Sequence, residues 1–383
     1  METGKERRRE IPKIVITGGP CGGKSTALGM IRTALEARGY RVFFLPETAT
    51  ELITGGISPA NCGRVGFQRE FLRRQLEKEQ EADDAAQRDP AEKVLILCDR
   101  GAADCRSYLS EAEFAEAAAA LGRSAAELRD GYDAVFHLTS SAKGASSFYT
   151  TANNPARTES AEEAAALDDR LMDAWTGNPH LRVIPCYEDF EEKAQTLLAE
   201  ILAFLGDPEP VEIERKFLIG SPDPAWLASL PCCRSVEIVQ TYLKTDDGSE
   251  ARVRRRGQDG SNLYTHTVKS RSAAMKRTEV ERRLTADEYN ALLASADPDR
   301  GTIRKTRYCL VYDAQYFEID VYPFWTDRAI VEIELRAENI PVRFPPELRL
   351  IREVTGDPAY KNAALAARFH DAEKQIEKKE GLS

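Results

Sequence analysis

Two kinds of hydrophobic pattern divide this chain of 383 residues. Through residue 205, short apolar runs alternate with longer stretches of helical period. The runs fall at residues 12–17, 41–46, 94–98, 132–138 and 181–185. An apolar run of that length, bounded by turn residues, reads as a strand buried on both faces. Helical stretches lie between them, running up to Gly39 and over residues 65–88 and 189–205. Strands alternating with helices predict a parallel, doubly wound α/β sheet.

From residue 211 the period changes to two. The run V-E-I-E-R-K-F puts Glu212, Glu214 and Lys216 on one face of a strand. Val211, Ile213 and Phe217 take the other. The alternation returns at Arg252 and Arg254, Thr267 and Lys269, Glu279 and Glu281, Lys305 and Arg307, Glu318 and Asp320, and Glu332 and Glu334. Solvent-washed strands carry mixed Ser, Thr and Gln, whereas these carry acids on some strands and cations on others. Such charges are costly on an inner face unless paired or bound to a ligand. Closed into a barrel, the two signs face each other across a lumen. Carboxylates there suit a hard divalent cation, Mg²⁺ or Mn²⁺. Arginine and lysine suit phosphate oxygens. A metal-bound polyphosphate satisfies both. Hairpin turns are expected at 247–248 and 259–260, and a crossing helix at 285–294 with Thr285 as its cap. Residues 357–369 read as a further helix.

The first strand leads into G-G-P-C-G-G-K-S-T, from Gly18 to Thr26. Strand, glycine loop and helix are the setting that G-x-x-x-x-G-K-[ST] requires. Backbone N–H groups of such a loop turn inward on phosphate oxygens, and the helix N-terminus adds positive potential. The candidate nucleotide cradle is Gly18, Gly19, Pro20, Cys21, Gly22, Gly23, Lys24, Ser25 and Thr26, for ATP or GTP. Lys24 reaches the outer phosphates and Ser25 ligates Mg²⁺. Asp99, at the end of the third apolar run, has the position of an acid that holds the metal through water. Glu47 follows the second run, as a site residue or as a helix N-terminal acid. Residues 140–163 suit a lid, with Arg157 as its phosphate contact, or a plain surface loop.

These motifs carry two resemblances. E-x-E-x-K, R-x-R, T-V-K, E-x-E, K-T-R-Y, E-I-D-V and E-I-E, in that order over residues 211–362, resemble the CYTH, or triphosphate tunnel metalloenzyme, superfamily. The resemblance implies a closed eight-stranded antiparallel barrel in an α+β domain. It implies catalytic roles for Glu212, Glu214, Lys216, Glu279, Glu281 and Glu318. The metal ligands would be Glu212, Glu214, Asp320, Glu332 and Glu334. Phosphate would be held by Lys216, Arg252, Arg254, Lys269, Lys305, Arg307 and Lys361, the last in A-Y-K-N. Inorganic triphosphate is the preferred substrate. The same superfamily includes class IV adenylate cyclases and thiamine triphosphatases, so cyclisation of ATP or a nucleoside or thiamine triphosphate are the alternatives. Residues 11–205 resemble the P-loop nucleotide-kinase group, close to AAA-like ATPase domains, through the glycine loop and through P-A-R-T-E-S-A-E-E-A and A-W-T-G-N-P-H-L. A kinase acceptor is not identifiable. A nucleotide switch attached to a binding-only tunnel is a further reading.

The expected organisation is a polar tail at 1–10, domains at 11–205 and 211–370, a G-D-P-E-P linker at 206–210 and a polar tail at 371–383. Hydrophobic content of 42% and charged content of 30% suit a globular protein. No apolar run reaches the length of a membrane span. The first ten residues lack the apolar core of a secretory signal. The eight cysteines include no C-x-x-C, and only four histidines accompany them, which argues against zinc. A reducing cytoplasm is the expected compartment. Residues 1–208 hold 25 basic and 34 acidic side chains and residues 209–383 hold 28 and 29, within a total net charge of −10. Neither half is basic, so nucleic acid is not an expected partner. The expected partners are a small-molecule triphosphate and a nucleotide, without a membrane. The pattern leaves the oligomeric state open.

Overall fold

A computed structural model describes residues 9–144, 160–207, 213–245, 249–258, 260–271 and 277–369. It divides into two compact units, Met1–Glu212 with Val311–Tyr316, and Ile213–Leu310 with Phe317–Ser383. Among the described residues, no helix is long and apolar enough to cross a membrane.

The first unit is built on five parallel strands. They are β1 (Lys13–Thr17), β2 (Arg41–Leu45), β3 (Val94–Asp99), β4 (Ala134–Leu138) and β5 (Leu181–Ile184). Their order is β2-β3-β1-β4-β5. Every residue of β4 is buried, as a strand covered on both faces requires. Ile14, Ile16, Leu95, Leu97, Phe136 and Leu138 meet Leu28, Ile31 and Leu35 of the helix Lys24–Glu36. Leu197 and Ile201 of the helix Phe190–Leu205 complete that core. Pro59–Arg88 is helical except at Gly63, whose φ of +72° breaks a short first turn from the long charged helix expected at 65–88.

The second unit is a nine-stranded antiparallel sheet. Its strands are β6 (Ile213–Gly220), β7 (Cys233–Leu243), β8 (Glu250–Gln258), β9 (Ser261–Arg271), β10 (Arg277–Leu284), β11 (Ile303–Tyr312), β12 (Gln315–Val321), β13 (Arg328–Leu335) and β14 (Leu350–Glu353). The order is β10-β9-β8-β7-β11-β12-β13-β6-β14. This replaces the closed eight-stranded barrel expected from the sequence with an open order of nine among the described residues. The physical reason lies at β6. One of its edges pairs with β13 and the other with β14, so neither remains for β10. β14 is short, exposed and irregular in register, which gave its polar L-I-R-E run no strand-like alternation. The helix Ala286–Leu293 is capped by Thr285, whose hydroxyl accepts from Glu288 N at 3.2 Å. The helix expected at 357–369 is a 3-10 turn, Pro358–Tyr360, followed by helix from 362. The expected turns at 247–248 and at Asp259, the linker from 208 and most of the lid at 140–163 lie outside the described residues.

Candidate functional site

In an antiparallel sheet, directly paired residues share a face. Pairing therefore shows which predicted side chains stand together. Glu332 pairs with Lys216 and with Glu318, and Glu334 pairs with Glu214. Arg252 pairs with Tyr242 and Thr267, and Glu281 with Thr267. Lys305 pairs with Ile238, two residues from Gln240, which pairs with Arg254. One continuous face thus carries the acids of β6, β12 and β13 and the cations of β8 and β11.

The densest part of that face is a buried acid–base network. Arg307 takes Asp320 in a fork, from Nε to Oδ1 and from Nη2 to Oδ2, both at 2.7 Å. It also donates to Glu332 at 2.9 Å and pairs with Glu318. Lys305 pairs with Asp320, and Lys216 with Glu332 at 2.7 Å. Asp320 has no solvent exposure, and Lys305, Arg307 and Glu332 are all buried. Burial pulls the Lys305 ammonium down to about 8, against the opposing pull of Asp320. Burial works to raise Glu332, but Lys305, Lys216 and Arg307 outweigh it and hold the carboxyl well below its usual range. Lys216 is also pulled down by burial, and Glu332 and Glu214 more than restore it.

Glu214 is half-exposed, 3.8 Å from Lys216. Its carboxyl is pushed up by burial and then by Glu332, with Glu334 and Glu318 adding to the repulsion. A divalent cation at this point would relieve that crowding. The donors are all oxygen, which fits Mg²⁺ or Mn²⁺. Among the described residues, no three His, Cys, Asp or Glu side chains already stand as a metal-holding group, because the acids turn to Arg307, Lys305 and Lys216.

On the opposite strands, burial and then Arg252 lower the Arg254 guanidinium below its usual value. Its Nε is buried without a hydrogen-bond partner among the described residues. Thr267 donates to Glu281 at 2.7 Å. Lys269 is half-buried and pairs along the backbone with Glu279, whose side chain is outside the described set. Lys361 is exposed beyond the 3-10 turn. Glu212 and Arg157 lie outside the described residues.

In the first unit, Gly18 to Gly23 join β1 to the helix that starts at Lys24. Gly18 has φ +132°, and a Cβ there would sit 2.1 Å from the Leu138 carbonyl oxygen. No other residue fits so close to a neighbouring strand. Lys24 Nζ donates to the carbonyls of Gly18 at 2.6 Å and Gly19 at 2.8 Å. Burial, then Arg100, pulls this ammonium down to about 7. Ser25 and Thr26 are exposed on the first helical turn. Asp99 ends β3, and burial and then Glu47 push its carboxyl up to about 6. Glu47 is held by Arg100 at 2.6 Å.

Sequence reading missed Asp168. It accepts from Gly19 N at 2.7 Å and from His137 Nε2 at 3.0 Å, forms an ion pair with Lys143 at 2.8 Å, and so fixes the start of the glycine loop. Its signal was present in the helical period. Asp168 sits in the apolar stripe of Ala164, Leu167, Leu171 and Trp175, where a charge must have a buried partner.

A family model described as an AAA domain matches residues 13–193. Over 158 residues, 40% of this chain, the sequence is 34% identical to an inorganic triphosphatase of Nitrosomonas europaea, 96% of which is covered. The chain belongs to the inorganic triphosphatase family. A second member, from Acetivibrio thermocellus, is 32% identical over 155 residues and 92% covered. A crystal structure of an inorganic triphosphatase is 33% identical, with 41% of this chain and 95% of that one covered at a TM-score of 0.29.

Proposed function

We propose that the second unit is a triphosphatase domain of the CYTH type that hydrolyses inorganic triphosphate with a divalent metal on the charged face of its sheet. The observation that carries this reading is Arg254. It is a guanidinium set beside a second cation, with a buried N–H left over, on the same face as the acids of β6, β12 and β13. A polyphosphate supplies the missing acceptor. Arg252, Arg254, Lys269 and Lys305 would hold the phosphates, with Arg307 and Lys216 keeping the acids oriented. Glu214, Glu332, Glu334 and Asp320, with Glu212, would hold Mg²⁺ or Mn²⁺. The ion supplies charge neutralisation on the phosphate oxygens and polarises water. Glu281 and Glu318 would orient that water. The names of the relatives favour hydrolysis over cyclisation.

The first unit, in the same reading, binds ATP or GTP on Gly18–Thr26. Phosphate oxygens would replace the carbonyls that now hold Lys24, and Ser25 and Asp99 would hold Mg²⁺.

The test is phosphate release from inorganic triphosphate, ATP, GTP and thiamine triphosphate with Mg²⁺ or Mn²⁺. Inorganic triphosphate is expected to be the best substrate. Arg254→Ala is expected to lower kcat/KM by about a hundredfold, the worth of one charge-assisted contact in a dry site. Wild-type activity in R254A, or cyclic AMP from ATP, would overturn the reading.

A further inference from the structure

Three buried polar atoms on three adjacent strands lack partners among the described residues, and they stand in one row. They are Gln240 Oε1 on β7, Arg254 Nε on β8 and Thr265 Oγ1 on β9. Gln240 pairs with Arg254, and Arg254 pairs with Thr265. Cross-strand partners hold their Cβ atoms about 5 Å apart, so one small ligand group can reach all three. Gln240 is 1% exposed and Thr265 7% exposed. Gln240 is held in place because its Nε2 donates to the Tyr242 hydroxyl at 2.9 Å, which leaves the carbonyl oxygen over. Neither Gln240 nor Thr265 belongs to the charged alternation that marks the other strands.

An unsatisfied buried polar atom is costly, and three together call for a ligand. The chemistry of the row is mixed. Arg254 can only donate, the Thr265 hydroxyl can do either, and Gln240 Oε1 can only accept. A fully ionised phosphate would leave the glutamine oxygen facing an anion. A terminal phosphate that keeps one proton satisfies all three: its P–O⁻ accepts from Arg254 and Thr265, and its P–OH donates to Gln240.

We propose that Gln240, Arg254 and Thr265 form a subsite for a singly protonated terminal phosphate of the substrate. This deepens the triphosphatase reading and rests on it. The substrate class that follows is a polyphosphate with a free end, as against one esterified at both ends.

The test uses the full chain and inorganic triphosphate itself, with binding followed by calorimetry in EDTA and turnover followed with Mg²⁺. Thr265→Val and Gln240→Met keep the volume and remove the orphan atom. Each is expected to weaken binding and raise KM about tenfold, as loss of a hydrogen bond to a charged group would. Thr265→Val is also expected to melt no lower than wild type without ligand, since it deletes an unmet polar atom. Unchanged affinity in T265V and Q240M overturns the subsite, as does a lower melting temperature with unchanged affinity, which is the mark of a structural water. If wild type neither binds nor hydrolyses inorganic triphosphate, the functional reading falls and takes the subsite with it. If wild type does both while the variants match it, the subsite alone falls.

Discussion

Arg307 carries more of the second unit than any neighbour, since it touches three acids on two strands. Removing one partner from a buried ion network leaves the others uncompensated, at about 3–5 kcal/mol. Arg307→Met is therefore expected to cost the second unit about that much in denaturant unfolding. Asp320→Asn added to it is expected to restore part of the loss, and strict additivity in the double-mutant cycle would show that the two do not interact. Lysine is no substitute here, because it lacks the planar fork that meets both oxygens of Asp320. At this scale the sequence was half legible. Period two placed Glu332, Asp320, Lys305 and Arg307 on one face correctly, because side-chain direction in a strand depends only on parity. It could not say that Asp320 would turn to Arg307. Partner choice depends on register between strands distant in sequence. Gln240 and Thr265 escaped notice because a neutral residue on a charged face carries no alternation of sign.

At the scale of elements, the nine-stranded sheet is held at one end by its weakest strand. β14 has four exposed residues, and Arg215 on β6 grips Glu353 through two nitrogens, at 2.9 and 2.6 Å. Arg215 and then Thr355 bring the Glu353 carboxyl down to about 2. A carboxyl with a depressed folded pKa adds stability that is fully present above its ordinary value of 4.5 and is lost as pH falls towards 2. The pair is half-exposed, so its contribution is small and screened by salt. Glu353→Gln is expected to speed hydrogen exchange in β14 at pH 7 while leaving β7 and β8 unchanged. The difference from wild type is expected to close as pH falls from 4.5 towards 2; a gap that persists there would mean the pair is not what holds the strand. The five strands of the first unit were legible because each is a short apolar run. β7 was not, since its inner face reads Ile238, Gln240 and Tyr242, with no charge to count.

At the scale of the molecule, each unit has its own core. Leu35, Leu97 and Leu197 belong to the first, and Phe217, Phe317 and Val331 to the second. Separate cores predict separate ligand responses. ATP is expected to raise the melting transition of the first unit, and inorganic triphosphate that of the second. Lys24→Ala is expected to abolish the ATP shift and leave phosphate release from inorganic triphosphate unchanged. Loss of that release in K24A would show that the two activities are coupled. The legible part at this scale was the change of hydrophobic period near residue 211. The open strand order was not legible, because closure depends on whether a short polar segment such as β14 claims an edge. The network around Arg307 has a last consequence. A wall that brings its own counterions exerts little pull on distant anions, so capture of substrate should depend only weakly on ionic strength. On the proposed function, loading is an exchange of partners, in which phosphate takes over Lys305 and metal takes over Asp320 and Glu332.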